Sequence, residues 1–172
     1  MRTLASFLAV GLTLAAFTAL PDDASTLRTL AEGGRYEVEA GELAGNKGTS
    51  DEVKKFGMMM VKDHGAANEK VKNLARAKGV ALPETMSAEK SELLNKLRSQ
   101  EQPRFDAEYL AQQVAAHEKT HALLKSEIAG SGSGDVKALA QDLLPTVEKH
   151  LAELYRLTGQ DSKAASLQHK EQ

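Results

Sequence analysis

The chain has no cysteine and no tryptophan among its 172 residues, and aromatic residues make up only 4%. Without cysteine there can be no disulfide, no thiolate nucleophile and no thiolate metal ligand. Any metal site must therefore be built from histidine, carboxylate or water. With aromatic and β-branched residues scarce, Ala and Leu must fill the interior. That suits close-packed helices better than a β-sandwich, and no stretch alternates convincingly enough to read as a strand. There is also no block of one charge sign: 22 Lys and Arg stand against 24 Asp and Glu, interspersed along the chain, for a net charge of −2. Lacking a basic stripe, the chain is not expected to bind nucleic acid; mixed charge of this kind belongs to solvated helix faces. What is present is 41% hydrophobic residues, enough for one globular core at this length.

The one long apolar run lies at the N-terminus. Arg2 precedes a stretch from Leu4 to Leu20 that ends at Pro21 and Asp22-Asp23. This pattern predicts a Sec signal peptide over residues 1–20, cleaved between Ala16 and Ala24. At about 17 residues, with Ser6, Gly11, Thr13 and Thr18 inside it, the run falls short of the roughly 20 needed to span a bilayer. An uncleaved inner-membrane anchor is the subordinate reading. No cysteine stands near position 20 to carry a lipoprotein anchor. The expected location is the periplasm or the exterior, with no stable membrane span after cleavage. Removal of residues 1–20 leaves 21 basic and 24 acidic residues, a charge of −3.

The remainder reads as helices. The first predicted helix covers Ser25 to Ala44, with Leu27, Leu30, Val38, Gly41 and Ala44 on one face and Gly45, Asn46 and Gly48 as its stop. Gly33-Gly34 lies inside it and costs up to about 1 kcal/mol per residue relative to Ala. Either another backbone approaches closely there or the helix is weak. The second begins at Thr49, with Glu52 at capping-box spacing. Val53, Phe56, Met60, His64, Ala67, Val71 and Leu74 form its stripe, and Gly79 and Pro83 mark its end. A connection over 79–103 contains a short helix from Ser87 to Leu97. The third long helix covers Arg104 to Ala129, with Leu110, Val114, His117, His121, Leu124 and Ile128 on its stripe. After a Gly-Ser turn at 130–134, Asp135 is expected to cap a fourth helix carrying Val136, Leu139, Leu143, Val147, His150 and Leu154, kinked at Pro145 and ended by Gly159. The segment 158–172 reads as a polar, frayed tail. Short links join the first helix to the second and the third to the fourth, and one long link joins the pairs. The fold class that follows is all-α: a ferritin-like up-down four-helix bundle over 25–157, with one long crossover.

Polar side chains recur on the apolar stripes. At about 1.5 Å per residue, Glu37, His64, His117 and His150 each lie about 18–22 Å from an end of their helices, so four polar groups on four helices can share one layer. Imidazole is the common ligand for Zn, Fe, Cu and Ni, and a carboxylate balances charge at harder metals. His121 follows His117 by one turn. Asp63 flanks His64 about a quarter turn away, which fits support of a ligand better than ligation. These two are the subordinate candidates. Glu42, Glu118 and Glu148 read as surface charges, His169 as incidental to the tail. Met58-Met59-Met60 spreads around the helix and reads as core plus surface rather than a thioether site for Cu(I).

Several stretches together resemble a known family. Tyr36-Glu-Val-Glu-Ala-Gly-Glu-Leu-Ala44, Met60-Val-Lys-Asp-His-Gly65, Val80-Ala-Leu-Pro83, Phe105-Asp-Ala-Glu-Tyr109, Val114-Ala-Ala-His117 and Leu144-Pro-Thr-Val-Glu-Lys-His-Leu151 resemble, in order, the bacterial domain of unknown function numbered 4142. The likeness covers about residues 25–157. It implies an exported, ferritin-like helical protein, a kind often labelled an outer-membrane protein. It also implies that Glu37, Asp63, His64, His117 and His150 are recurrent polar positions, and His121 is not among them. The Glu-x-x-His pairs of di-iron bundles are absent, since positions 61 and 147 are both Val. That departure disfavours iron storage and di-iron oxidation.

Two functional readings follow. In one, the Glu37, His64, His117 and His150 layer binds a single divalent transition metal (Zn, Fe, Cu or Ni) for metal handling or stress defence in the envelope. In the other, the chain is a non-catalytic envelope or interaction module whose histidines satisfy one another in a buried network, responsive to pH near the ordinary imidazole value of about 6.5. No Ser lies in a nucleophile-elbow setting, so an enzyme is the less favoured reading. Exposed Ala-rich helix faces would allow a homo-oligomer without requiring one.

Overall fold

The computed structural model of the chain describes residues 22–168. The predicted signal peptide at 1–20 and His169 lie outside that range. The described residues form six helices and no strand: α1 (Asp23–Lys47), α2 (Asp51–Ala77), α3 (Ala88–Ser99), α4 (Arg104–Ala129), α5 (Gly134–Leu157) and α6 (Asp161–Gln168). None of them is long and apolar enough to cross a membrane.

Capping sets the helix starts, and in three places it differs from the sequence expectation. Asp22 accepts from Ser25 N at 2.6 Å, starting α1 two residues early. Ser50, not Thr49, caps α2 by accepting from Val53 N at 3.1 Å. The Thr49 and Ser50 amides instead donate to the Asp106 carboxylate at 2.8 and 2.9 Å, a partner from another helix that no local capping pattern reveals. At α5, Asp135 is already inside the first turn and Ser133 is the N-cap, without a side-chain bond of its own to the helix. The Ser133 amide donates to Asp23 Oδ1 at 3.0 Å, tying the turn to α1. Pro145 stands inside α5, which continues through it to Leu157.

Gly45 and Asn46 do not stop α1, which runs on to Lys47. Lys47 Nζ there donates to the Arg98 and Gln100 carbonyls at 2.6 and 2.8 Å. Tertiary bonds thus extend the helix past residues whose local preference is to end it. The tail is also more ordered than its composition suggests. Residues 161–168 form α6, with Ala164 and Leu167 packed on the core and Lys163 over the Tyr155 ring at 5.1 Å.

The directions of the long helices follow from their contacts. The α1–α2 pair touches at Gly41 with Gly57 and at Gly34 with Asn68. The α1–α4 pair touches at Thr26 with Glu127 and at Tyr36 with Gln112. The α2–α5 pair meets at Asp63 with His150 and at Lys70 with Asp142; α4 and α5 meet at His121 with Glu148 and at Glu118 with Tyr155. In each pair one residue number rises as the other falls, so all four pairs are antiparallel. It follows that α2 and α4 run parallel, and the chain from Lys78 to Pro103 must travel back along the molecule to join them. α1 anchors that connection: Arg28 donates to the Ala81 carbonyl at 3.1 Å, Arg35 to the Pro83 carbonyl at 3.0 Å, and Glu32 accepts from Ser87 N at 2.7 Å. Leu94 and Leu97 of α3 then bury against α1 and α4.

The closest packing is between α1 and α2. A Cβ at Gly41 would sit 2.6 Å from the Gly57 carbonyl oxygen, and one at Gly57 would sit 2.6 Å from the Gly41 carbonyl oxygen. The helices therefore touch backbone to backbone. At the Gly33-Gly34 pair, Gly34 lies against the Asn68 side chain, whereas Gly33 faces open space.

The apolar interior falls into two clusters. One contains Leu27, Leu30, Val71, Leu124, Val136, Leu143, Val147 and Leu151; the other contains Tyr36, Ala40, Val53, Phe56, Met60, Leu97, Phe105, Tyr109 and Leu154. Met60 is fully buried while Met58 is exposed, as a helical run of three methionines must divide. Between the two clusters, along α2, α4 and α5, lie the histidines.

Candidate metal centre

His64 comes from α2, His117 from α4 and His150 from α5. Each occupies an inward position between apolar residues of its own helix, such as Met60 and Val71 on α2 or Val147 and Leu154 on α5. The stripes that bury those neighbours carry the three rings to one point. Ring centroids are 5.3 Å apart for His64 and His117, 5.4 Å for His64 and His150, and 5.4 Å for His117 and His150. His117 Nε2 lies 3.3 Å from His64 Nε2 and 3.3 Å from His150 Nδ1. One nitrogen from each ring falls within 4.8 Å of the other two.

The outward nitrogens are held by acceptors. His117 Nδ1 donates to the Gln113 carbonyl at 3.0 Å, and His150 Nε2 donates to Asp63 Oδ2 at 3.1 Å. A carbonyl and a carboxylate can only accept, so the proton of each ring sits on its outward nitrogen. The inward His117 Nε2 and His150 Nδ1 are therefore both lone pairs, facing each other at 3.3 Å. Neutral His64 has one ring proton to offer, and it serves at most one of them. With protein groups alone, at least one buried acceptor is left facing another acceptor, an expensive arrangement. Protonation does not relieve it, because burial depresses all three rings. His64 is pushed down to about 3 by burial and by His150, against the pull of Asp63. His117 is held well below the ordinary imidazole value by burial and by both neighbouring rings, against the Gln113 carbonyl. His150 is lowered by burial and partly restored by Asp63.

Glu37 is buried beside the layer but not in the triad. Its Oε1 is 4.0 Å from His117 Nδ1, on the side of the ring away from His64 and His150. Burial pushes its carboxyl up to about 7, against the pull of the Gln113 amide and Lys90. Glu37 Oε2, both amide atoms of Gln113 and the Tyr109 hydroxyl are buried with no hydrogen-bond partner among the described residues. His121 is also separate: its Nε2 pairs with Glu148 Oε1 at 3.0 Å. Glu148 is thus a partner on a half-buried edge rather than a free surface charge. Glu118 likewise accepts from the Tyr155 hydroxyl at 2.8 Å, while Glu42 is exposed. Sequence reasoning did not find Gln113, whose contribution is a backbone carbonyl. The available signal was position, since the carbonyl four residues before a helical His lies under its ring. Phe56, whose edge meets the His150 ring with centroids 6.3 Å apart, was read only as core.

The model of the family described as "Domain of unknown function (DUF4142)" matches residues 12–157. The chain belongs to the DUF4142 family. The matched range takes in all three histidines, Asp63 and Glu37, and ends before α6. Among solved structures, the crystal structure of a DUF305 fragment from Deinococcus radiodurans is similar over 81% of this chain and 97% of that chain, with a TM-score of 0.71 and 10% identity. At that identity the likeness bears on the fold alone. No curated protein matches the chain.

Chemically, the triad of this DUF4142 chain offers three imidazole nitrogens within 4.8 Å of one another, two of the pairs at the spacing of a metal site. Two nitrogens at about 2.0–2.1 Å from one tetrahedral ion are about 3.3–3.4 Å apart, the separation seen for two of the pairs. His117 and His150 already have the carbonyl and carboxylate supports that fix the tautomer of metal-binding histidines.

Proposed function

We propose that this chain is an exported, ferritin-like four-helix protein that binds one divalent transition metal through His64, His117 and His150. Asp63 and the Gln113 carbonyl orient two of the ligands, and Glu37 is a buried neighbour rather than a ligand. The observation that carries this reading is the pair of inward lone pairs on His117 and His150, 3.3 Å apart. A cation satisfies both at once, along with His64; no neutral arrangement of the three rings does. Three imidazoles suit Zn, Cu, Ni and Fe, and availability in the envelope then decides among them. Support for the ferritin-like wiring comes from the antiparallel pairing and the long return between α2 and α4. Support for export comes from residues 1–20.

The test is elemental analysis of untagged protein recovered from the periplasm, beside a His64→Ala/His150→Ala variant. About one equivalent of metal in the wild type, lost in the variant, is the expected result. No metal after incubation with Zn, Fe, Cu and Ni overturns it. The second reading, a self-contained histidine network responsive to pH, draws on the same 3.3 Å contacts and would then stand. In that case His64→Gln/His150→Gln keeps the fold and changes only its pH response.

A further inference from the structure

Of the three histidines, His64 alone is only partly buried. His117 and His150 are fixed from outside by the Gln113 carbonyl and the Asp63 carboxylate. The His64 ring has a single hydrogen-bonding contact among the described residues, with His117 Nε2. Beside it lies a small cavity of about 40 Å³, partly open to solvent, which His64 and Asp63 line together with Ala67, Thr120 and Thr146. Ala67 follows His64 by three residues, Thr120 follows His117 by three, and Thr146 precedes His150 by four. Since α2 and α4 run parallel and α5 runs opposite, these steps all lead to one side of the layer. The other approaches are closed by buried side chains. A larger groove of about 670 Å³ between α2, α5 and α6 has Phe56 in its wall, a buried ring whose edge meets His150. On the far side of His117 stand Glu37 and Gln113, both buried.

We infer that this cavity is the route by which the divalent ion enters and leaves, with Asp63 as its first contact and His64 as the ligand that swings aside. The inference rests on the metal reading above and adds the path to it. A carboxylate in the wall of a small opening draws cations and repels anions. Asp63 uses Oδ2 to hold His150 at 3.1 Å, so the group that meets the incoming ion also orients one of its ligands. A water needs roughly 10–15 Å³ of such space, so 40 Å³ takes an ion with a few of its waters. The oxygens of Asp63, Thr120 and Thr146 are the acceptors that can replace waters left behind. Further in lie the lone pairs of His117 Nε2 and His150 Nδ1, 3.3 Å apart and already oriented. His64 has no such outside support to break, so its ring turns most easily of the three. It is the last ligand to close on the ion and the first to leave it.

The experiment follows, by stopped flow, Zn(II) uptake by the untagged protein and Zn(II) release to a chromogenic chelator. Narrowing a path raises one barrier that both directions cross, so both rates fall by the same factor and their ratio holds. Ala67→Leu, which narrows the cavity from α2, is expected to slow uptake and release by about tenfold or more while equilibrium affinity moves by about twofold at most. Should Ala67→Leu not fold, Thr146→Met makes the same test from α5. Ala152→Leu, in the larger groove, and Gly33→Ala, facing open space on α1, are expected to leave both rates alone. Asp63→Asn is expected to slow uptake and to weaken its dependence on salt. Failure to bind Zn(II) overturns both the metal reading and this one. Binding with wild-type rates in the narrowed variant overturns this inference alone, as does a loss of affinity without matched slowing. So does equal slowing by Ala152→Leu or Gly33→Ala, which would place the route elsewhere or in general opening of the bundle. Uptake by Asp63→Asn as fast and as salt-sensitive as in the wild type removes Asp63 from the route and overturns the inference as stated.

Discussion

Acidifying the metal-free protein tests the buried layer most directly, because the groups involved have opposite signs. His64 is pushed down to about 3 against an ordinary value near 6.5. Between those limits the unfolded chain binds a proton that the folded chain refuses, so stability falls as pH falls, by about 1.4 kcal/mol per pH unit. Glu37, raised to about 7 from an ordinary value near 4.3, does the reverse. Over that interval the folded chain holds a proton that the unfolded one lacks, so acidification favours folding and cancels His64. His117, held well below its ordinary value by burial, is left uncancelled. His150 adds less, since Asp63 partly restores it. From pH 6.5 to 4.5 the net expectation is therefore a fall in stability with acidification, carried by His117 and to a lesser degree His150, against a typical total of about 5–15 kcal/mol. Below about 4.5 the Glu37 offset ends, and His64 adds its own loss of about 1.4 kcal/mol per pH unit down to about 3. Glu69, Glu108, Glu118 and Glu153, lowered chiefly by hydrogen bonds to Lys72, Lys96, Tyr155 and Arg156, lose their contributions mainly below the ordinary Glu value and so add to the loss only beneath this window. Asp23, lowered to about 2 chiefly by its hydrogen bonds to Ser133, contributes stability that is complete above its ordinary value and lost only as pH falls toward 2. The assay is urea unfolding followed by helical circular dichroism, in chelator, at half-unit pH steps. A midpoint that stays level or rises between pH 6.5 and 4.5 would refute the assignment of neutral histidines to the interior.

Packing makes a paired prediction: Gly57→Ala, whose new carbon would meet the Gly41 carbonyl, should cost about 1–3 kcal/mol, whereas Gly33→Ala, facing open space, should gain up to about 1 kcal/mol; thermal unfolding of the two variants in one buffer decides it. Asp63→Asn keeps a hydrogen-bond acceptor for His150 but removes the charge, so metal affinity measured by chelator competition should fall about 10–100-fold with the fold intact; unchanged affinity would remove Asp63 from the site. His121→Ala, which breaks only the contact with Glu148, should leave metal stoichiometry unchanged; loss of metal would mean that the ligand set is wrong. Ending the chain at Gln160 strips Ala164 and Leu167 from the core and should lower the melting temperature measurably, a result not expected of a frayed tail.

The helices were legible because a stripe at steps of three and four is a local property of the chain. Val53, Phe56, Met60 and Val71 on α2, or Val136, Leu139, Leu143 and Val147 on α5, identify the buried face without reference to any partner. The same periodicity placed His64, His117 and His150 on buried faces at similar depth, and their approach follows from that. Helix ends were less legible. Ser50 rather than Thr49 caps α2, where Asp106 of α4 accepts from the amides of both, and α1 outruns Gly45 because Lys47 finds carbonyls 51 and 53 residues away. Glu37 illustrates the limit for the site. Its depth along α1 matched that of the histidines, but depth does not settle rotation, and the backbone contact of Gly41 with Gly57 helps fix how α1 sits against its neighbours. By itself, then, the sequence determined an all-helical chain with a histidine on each of three inward faces. Tertiary structure alone decided which nitrogens meet, which partners hold the outward ones, and that Glu37 and His121 stand aside. Those outcomes depend on the rotation and offset of one helix against another, which non-local packing sets and no local pattern encodes.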